Sequence, residues 1–261
     1  MTETKIHPTA LVSPSAVVGK GTKVGAYSLI GPNVKLGKDC DIRSHVVIDG
    51  KTTLGNQVRV LPFSAIGLEP QHLKYRGEET EVLIGDRVTF HESVTVHRAT
   101  EFGGGITSIG DDCYIMAYAH VAHDCRVGHH VILANSVQLG GHVEVGDHVT
   151  IGGVSAVAQF CRVGSYCYVG GGSTLRKDLP PFLLGKGHEF EVQGINSIGL
   201  ERNGFSELAV KRLKKLYRIF YLQKLTVSRA IESIVTEMGD VDELKVFLDF
   251  VKSSKSGVLR P

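Results

Sequence analysis

Residues suited to acid–base chemistry are concentrated between positions 119 and 161, in the stretch AHVAHDCRVGHHVILANSVQLGGHVEVGDHVTIGGVSAVAQFC. Five side chains there could take part in catalysis: His120, His123, Asp124, His142 and Gln159. An imidazole has an ordinary pKa of about 6.5, so it exchanges protons near neutral pH. General acid–base catalysis is therefore the chemistry to test, provided that the fold brings these side chains together.

A six-residue repeat governs the backbone that carries them. An aliphatic residue recurs every six positions from Ile6 to Ile66 and, after interruptions, from Ile109 to Leu175. This period matches neither an α-helix, with 3.6 residues per turn, nor a strand of alternating pattern. It is typical of a parallel β-helix, in which each hexad forms one short strand and one turn and three hexads form a coil. We therefore predict a β-helix over residues 1–178.

The phase of the repeat separates core residues from corner residues. If each hexad is numbered from its aliphatic residue, positions 1 and 5 point inward, and positions 3 and 4 form a corner. Gly and Asn are expected there because they tolerate turn dihedrals. The five cysteines all fall at position 5: Cys40, Cys113, Cys125, Cys161 and Cys167. They are predicted to be core residues with free thiols, which indicates a reducing compartment.

The same phase gathers the candidate side chains. Residues 18 apart occupy the same corner on successive coils, which lie about 4.8 Å apart. His123, Gly141 and Gln159 should therefore form one column at position 3, beside a column at position 4 that contains Asp124 and His142. His120, at position 6, lies on the strand that leads into this corner. The group should span roughly 10 Å on one outer edge.

Histidines on such a repeat also suit functions other than base catalysis. Gamma-class carbonic anhydrases hold zinc on a similar solenoid, with two ligands five residues apart on one strand. Here His120 and His123 are three apart and should diverge, so we predict no metal. A serine nucleophile is not expected because no G-x-S-x-G motif is present. A non-catalytic solenoid is the remaining alternative, and it leaves the clustered edge unexplained.

Two insertions interrupt the repeat, at 68–83 and 99–108. The first is polar and long enough to fold over a neighbouring surface. The second, ATEFGGGITS, fits no phosphate-binding motif, so its glycines are predicted to form a flexible turn.

The remaining residues, 179–261, are predicted to form a linker and an α-helical domain. An irregular bridge should lead to helices at 206–223, 226–238 and 241–252, the first two capped by Ser206 and Thr226. Eight Lys and Arg residues but only one acid lie between Arg202 and Arg229. This bias suits either a solvated face or an acidic partner protein.

Composition excludes several classes of protein. The formal net charge is only +2, which argues against nucleic acid as a partner. A run of about 18 apolar residues is absent, so no transmembrane segment is expected. The N-terminus lacks the pattern of a signal peptide, and a cytoplasmic location is expected.

Nine motifs follow one another along nearly the whole chain: SHVVIDG, PQHLKYRGE, ESVTVHRAT, AHVAHDC, ILANSVQLGGHVEVGD, QFCRVG, DLPPF, GINSIGL and GFS. In these motifs the chain resembles the acyl-carrier-protein–UDP-N-acetylglucosamine O-acyltransferases that begin lipid A biosynthesis. The insertion and AHDC motifs are specific, whereas hexapeptide repeats are shared by many acyltransferases. The resemblance implies an all-β left-handed parallel β-helix with a C-terminal α-helical domain. It also implies a homotrimer with active sites between subunits, and no cofactor.

The resemblance further implies transfer of a 3-hydroxylated acyl chain from acyl carrier protein to the sugar 3-hydroxyl. His123 matches the general base, Asp124 the group that orients it, and the Gly141 N–H the oxyanion donor. Gly171 matches the position that sets acyl length. Substrate-contacting positions are matched by His120, His142, Gln71, Lys74, Gln159, Asn196 and Arg202.

Four positions depart from the pattern of the resembled family. Ala158 replaces a histidine, His72 an aspartate, Ile198 a glutamate and Asn203 an arginine. All four are expected on the acceptor or nucleotide side, with the base and its neighbours intact. The acceptor is therefore open to a 3-amino-3-deoxy sugar nucleotide or another nucleotide sugar, and the donor to a coenzyme A thioester.

Overall fold

Short strands dominate the computed structural model, which describes residues 3–239 and 241–260. The first coils contain β1 (Lys5–Ile6), β2 (Leu11–Val12), β3 (Val17–Val18), β4 (Lys23–Val24), β5 (Leu29–Ile30), β6 (Lys35–Leu36), β7 (Asp41–Ile42), β8 (Val47–Ile48), β9 (Lys51–Leu54) and β10 (Arg59–Val60). The middle coils contain β11 (Ala65–Leu68), β12 (Glu81–Ile84), β13 (Thr89–Phe90), β14 (Thr95–His97), β15 (Ile106–Ile109), β16 (Tyr114–Ile115), β17 (His120–Val121), β18 (Arg126–Val127) and β19 (Ile132–Leu133). The last contain β20 (Gln138–Leu139), β21 (Glu144–Val145), β22 (Thr150–Ile151), β23 (Ala156–Val157), β24 (Arg162–Val163), β25 (Tyr168–Val169), β26 (Thr174–Leu175), β27 (Leu183–Lys186) and β28 (Glu191–Ile195).

These strands form the three sides of a prism. Every third strand pairs in parallel, so the first sheet begins β1-β4-β7, the second β2-β5-β8 and the third β3-β6-β9. Where no insertion intervenes, partners are 18 residues apart, as for His120 and Gln138. The predicted parallel β-helix is confirmed.

The core of the prism consists of the residues at positions 1 and 5. Val121, Leu139 and Val157 are buried at position 1, and all five cysteines are buried and unpaired at position 5. The prediction for the cysteines is confirmed. Their burial follows from the narrow interior, which accommodates one small side chain from each corner.

The corners differ from the prediction. The left-handed dihedrals fall on position 4 and are mostly adopted by residues other than Gly or Asn, such as Asp124 (φ 63°), His142 (φ 61°) and Phe160 (φ 65°). Many glycines lie instead at position 2, where stacked coils approach closely. A Cβ atom on Gly19, for example, would lie 2.2 Å from the backbone oxygen of Gly37.

Both insertions are shorter than predicted because the strands beside them extend outward. The first occupies residues 69–80, since β12 pairs with β9 over four residues. The second occupies residues 98–105, since β12 also pairs with β15 over four residues. A single 3₁₀ turn, Glu101–Gly103, lies within the second insertion.

The C-terminal part begins with strands rather than the predicted irregular bridge. β27 pairs in parallel with β25, and β28 then pairs antiparallel with β27, so the first sheet continues beyond Pro181. The helices are α1 (Ser197–Arg202), α2 (Glu207–Tyr217), a π-helical turn (Arg218–Leu222), α3 (Val227–Met238) and α4 (Asp242–Lys252). Ser206 and Thr226 cap α2 and α3 as predicted, whereas α1 was not predicted. No helix within the described ranges is long and apolar enough to span a membrane.

Candidate active site

The pair formed by His123 and Asp124 lies at the corner between β17 and β18. Nδ1 of His123 lies 2.7 Å from Oδ2 of Asp124, and the Asp124 side chain is fully buried. A carboxylate at this distance accepts a hydrogen bond from Nδ1–H, so the proton stays on Nδ1 and Nε2 keeps its lone pair. The His123 side chain retains 12% of its exposure, enough for a substrate atom to approach. His123 therefore has the geometry of an oriented general base.

Thr100 and Thr107 hold Asp124 in place. The Thr100 backbone N–H donates to Oδ1 at 3.0 Å, and its hydroxyl donates to Oδ2 at 2.7 Å. The Asp124 N–H donates to the Thr107 hydroxyl at 2.8 Å. These bonds hold the carboxylate in the orientation in which it faces the His123 imidazole.

Gly103 lies directly against the Asp124 carboxylate. A Cβ atom at Gly103 would lie 2.0 Å from Cγ and Oδ1 of Asp124, so only glycine lets the insertion close over this side chain. The predicted turn is present, and the prediction did not include the contact of Gly103 with the carboxylate. Segment 98–105 is part of the site.

Gly141 lies beneath the His123 ring, one coil further along. A Cβ atom at Gly141 would lie 2.6 Å from Cε1 and 2.8 Å from Nε2 of His123. Gly140 and His142 on either side donate their N–H groups to Val157 and His123, respectively. Among the described residues, no acceptor is bonded to the Gly141 N–H. This N–H is therefore free to bind developing negative charge beside the base.

Two further imidazoles flank His123. His142 contacts it edge-on at 5.2 Å between ring centroids and stacks on Phe160 at 4.5 Å. Burial, reinforced by the neighbouring His123 and His72, lowers the pKa of His142 despite the opposing effect of Asp124. His72 contacts His123 at 5.2 Å, and its buried Nδ1 has no hydrogen-bond partner among the described residues. His72, one of the four positions that differ from the resembled family, is thus a direct neighbour of His123. The expectation that the neighbours of the base are intact was therefore wrong at His72.

His120 contacts Thr95 and His97. Its Nδ1 lies 2.7 Å from the Thr95 hydroxyl, and its ring contacts His97 edge-on at 5.1 Å. Burial, together with the neighbouring His97 and His123, lowers the pKa of His120 to about 4. The pKa of His97 is lowered in the same way, chiefly by burial. Both rings are neutral at physiological pH and can act as hydrogen-bonding groups.

Three side chains of the site carry atoms that could ligate a metal. Ligand atoms of His123, Asp124 and His142 lie within 4.8 Å of one another, close enough to surround an ion. Both Asp124 oxygens and the Nδ1 of His123 already take part in hydrogen bonds with each other and with Thr100. An ion would have to replace those bonds, so this arrangement fits an oriented base better than a ligand shell.

Known proteins match the chain along nearly its entire length. Residues 178–259 match the family model described as "Udp N-acetylglucosamine O-acyltransferase; Domain 2", and 15–50 and 106–141 match the bacterial transferase hexapeptide model. The acyl-[acyl-carrier-protein]–UDP-N-acetylglucosamine O-acyltransferase of Syntrophobacter fumaroxidans is 46% identical over 257 residues, covering 98% of this chain and 100% of that protein. The corresponding protein of Thermodesulfovibrio yellowstonii is 43% identical over 256 residues, covering 98% and 99%.

A solved structure agrees with these matches. The UDP-N-acetylglucosamine acyltransferase of Francisella novicida superposes with a TM-score of 0.95 at 34% identity, covering 98% of this chain and 94% of that one. The chain belongs to the acyl-[acyl-carrier-protein]–UDP-N-acetylglucosamine O-acyltransferase family. It is an acyltransferase with the left-handed parallel β-helix and C-terminal helices of that family.

The acyltransferase brings only some of its predicted site residues together in one chain. Gln159 is exposed on the coil beyond Gly141, in the predicted column. Gln71 and Lys74 are exposed on the first insertion, which leaves the same edge of the prism and carries His72 to the base.

Three predicted residues lie at other corners of the prism. The Asn196 side chain caps α1 and donates to the backbone oxygen of Tyr166 at 2.8 Å, at the corner between the third and first sheets. Arg202 is exposed at the end of α1. Gly171 follows β25, at the corner between the first and second sheets. Within one chain, these residues do not join His123.

Sequence reasoning missed Thr100, Gly103 and Thr107. All three lie in or beside the second insertion, where the repeat is broken and residue spacing no longer reports position. The run Gly103–Gly105, just after the ESVTVHRAT motif of the family resemblance, was a signal that could have revealed Gly103. Clustered glycines also mark places where the backbone closely approaches another group.

Proposed function

We propose that this acyltransferase transfers a 3-hydroxyacyl chain from acyl carrier protein to the 3-hydroxyl of UDP-N-acetylglucosamine, the first step of lipid A biosynthesis. The observation that carries the proposal is the bond of 2.7 Å between His123 Nδ1 and the buried Asp124 carboxylate. It leaves the Nε2 of His123 free beside the unbonded N–H of Gly141. The relatives with full-length matches are named for this reaction.

In the proposed mechanism, the sugar 3-oxygen attacks the thioester carbonyl carbon while its proton moves to Nε2 of His123. The Asp124 carboxylate stabilises the imidazolium that forms. The Gly141 N–H binds the oxyanion of the tetrahedral intermediate. The C–S bond then breaks, and the departing pantetheine thiolate takes the proton from the imidazolium. Atoms and charges balance without a cofactor.

A homotrimer would complete the site. His123, Asn196 and Gly171 occupy three different corners of one prism, so a single chain leaves the predicted substrate contacts dispersed. A three-fold arrangement of parallel prisms would place the base corner of one copy against another corner of its neighbour. Under this arrangement Asn196 and Arg202 of one copy would serve the base of the next, and Gly171 would border the acyl chain.

The basic surface of α2 suits an acidic carrier protein as donor. The exposed or half-exposed cations of α2 and of the turn after it are Lys211, Arg212, Lys214, Lys215 and Arg218. Lys211 and Lys215 pair with Glu207 and Glu237, and the other three cations are left in excess on this surface. A surface with an excess of positive charge attracts an oppositely charged partner at long range and speeds association. The five unpaired buried cysteines suit the reducing cytoplasm, where we place the reaction.

The contact between His72 and His123 favours one second acceptor, a 3-amino-3-deoxy analogue of the sugar nucleotide. The His72 ring lies beside the base where the resembled family has an aspartate, so the acceptor meets an imidazole there instead of a carboxylate. Ala158, half-buried in the same corner, supplies no competing polar group.

Purified enzyme assayed with both acceptors and a panel of acyl carrier protein and coenzyme A thioesters tests the proposal. We expect acyl transfer from the carrier protein, abolished by His123→Ala. Wild-type transfer by the His123→Ala variant would refute the mechanism. Exclusive use of the 3-amino acceptor would correct the substrate while leaving the base assignment intact.

A further inference from the structure

The Cys125 thiol touches the peptide unit that contains the oxyanion donor. Cys125 follows Asp124 directly and is completely buried at position 5. Its Sγ donates a hydrogen bond to the Gly140 backbone oxygen at 3.1 Å. The Gly140 oxygen and the Gly141 N–H are the two ends of one planar peptide. A group that fixes the carbonyl therefore also fixes the direction of the N–H.

We propose that Cys125 is a positioning residue for the oxyanion donor, which it orients and polarises through the Gly140–Gly141 peptide. The inference rests on the proposed function, because it requires the Gly141 N–H to bind the oxyanion. A donor bonded to a carbonyl draws electron density toward the oxygen and makes the N–H of the same peptide a stronger donor. The bond also limits rotation of this peptide plane, which lies between two conformationally permissive glycines.

The thiol is well suited to a permanent donor role. Burial, which outweighs the opposing backbone hydrogen bond at Val143, raises the pKa of Cys125 to about 12. The sulfur therefore keeps its proton throughout the pH range of enzyme assays. It is inaccessible to solvent and belongs to no disulfide, so its hydrogen bond is its chemical contribution.

Side chains at position 5 of other coils make the same hydrogen bond. Because those coils lie outside the site, the bond there can only stabilise the corner, and its effect on catalysis can be tested separately at Cys125. Hydroxyls at position 5 make it too, with Thr22 donating to Gly37 and Ser28 to Arg43, each at 2.7 Å. Serine at position 125 is therefore a conservative replacement that keeps a donor. Valine removes the donor, and valine is native at position 5 at several corners, including Val131 and Val143.

Cys113 provides a matched control. Its Sγ donates to the Gly128 oxygen at 3.1 Å, the same distance as in the Cys125 bond, and it is equally buried. The N–H of that peptide, on His129, already donates to Asp147 Oδ1 at 2.7 Å. The two thiols thus make the same bond to two peptides, one with its N–H bonded and one with its N–H free at the site.

The test compares Cys125→Val, Cys125→Ser and Cys113→Val in steady-state assays with acyl carrier protein thioester and sugar nucleotide, alongside thermal unfolding. We expect Cys125→Val to lower kcat about threefold to tenfold, in line with a weak hydrogen bond acting through a peptide. Its KM values and the pH profile of kcat should be unchanged, because the base and the binding surfaces are untouched. Cys125→Ser should restore kcat, and Cys113→Val should match the wild type.

Three outcomes would overturn the inference: wild-type kcat in Cys125→Val, an equal fall in Cys113→Val, or no recovery in Cys125→Ser. If Cys125→Val does not fold, Cys125→Ala replaces it, since alanine is also native at position 5, at Ala119. The His123→Ala assay separates the two levels of the argument. An active His123→Ala enzyme refutes the proposed function, whereas an inactive one together with an unaffected Cys125→Val refutes only the role of Cys125.

Discussion

Thr100 binds the Asp124 carboxylate at both oxygens, through its N–H to Oδ1 at 3.0 Å and through its hydroxyl to Oδ2 at 2.7 Å. The second insertion thereby anchors the carboxylate that is bonded to the proposed base, His123. Oδ2 also accepts the bond from His123, so the threonine hydroxyl and the imidazole converge on one atom. The position of the imidazole consequently depends on a loop residue 23 positions earlier in the chain.

Replacement of Thr100 by valine should therefore reduce catalysis. The variant keeps the shape and the backbone bond but removes the hydroxyl. We expect kcat to fall about tenfold, because a hydrogen bond to a charged group contributes about 1.5–3 kcal/mol. Steady-state kinetics at saturating substrate measures the effect. Thr22→Val is the control, since the buried Thr22 hydroxyl donates a comparable bond to the Gly37 oxygen at 2.7 Å and touches neither Asp124 nor the peptide before Thr100. An equal loss in both variants would contradict a specific role for Thr100.

Gly103→Ala should reduce catalysis by displacing the insertion from Asp124. The added methyl group would occupy space within 2.0 Å of the carboxylate, so either the loop or Asp124 must move. We expect kcat to fall at least about tenfold while the β-helix remains folded, since misplacement of a catalytic group by about 1 Å costs up to about a hundredfold. Circular dichroism and kcat are the measurements.

Gly105→Ala is the control for backbone strain. Gly105 has a left-handed φ of 78° but open space around its Cβ position, so alanine there adds strain without the clash. A larger loss of kcat in Gly105→Ala than in Gly103→Ala would assign the effect to loop strain.

The accuracy of the sequence predictions follows the repeat. Within uninterrupted coils, a spacing of 18 residues converts directly into vertical neighbours, so the contacts of His123 with Gly141 and His142 were predictable. Thr100, Gly103 and His72 reach the same corner from insertions, where spacing carries no such information. Their contacts depend on how each loop folds back on the prism.

Local signals explain the mixed result in the C-terminal part. Ser206 and Thr226 each hydrogen-bond the N–H three residues later, and this capping pattern is visible in the chain itself. β27 was missed because Pro180 and Pro181 precede it. A strand at the end of a parallel stack can follow such prolines, since their missing N–H groups need no partner there. The six-residue α1 is too short for an apolar period to reveal it.

Buried neutral histidines should make stability fall at mildly acidic pH. The pKa of His120 is lowered to about 4 by burial and by His97 and His123, while the unfolded chain binds the same proton near pH 6.5. Between these values the unfolded state carries more protons, so unfolding becomes easier as the pH falls. The slope for one group is at most about 1.4 kcal/mol per pH unit.

His120→Asn isolates this contribution. The amide keeps a possible bond to Thr95 but does not titrate. Urea unfolding at fixed protein concentration, between about pH 7 and pH 5, should show a smaller loss of stability in the variant than in the wild type. If the variant and the wild type lose the same unfolding free energy between about pH 7 and pH 5, His120 is not the group that takes up a proton on unfolding.

A site shared between copies should be restored when two inactive variants are mixed. In the proposed homotrimer, His123 of one copy works with Arg202 of its neighbour, so His123→Ala and Arg202→Ala damage different sides of each interface. Equal mixing by joint refolding should recover about one quarter of wild-type activity, because one interface in four pairs an intact base with an intact arginine. The control mixes His123→Ala with Thr100→Val, whose defects lie on the same side of the interface, and should recover no activity beyond that of its components. If the first mixture recovers none, each site is contained within one chain.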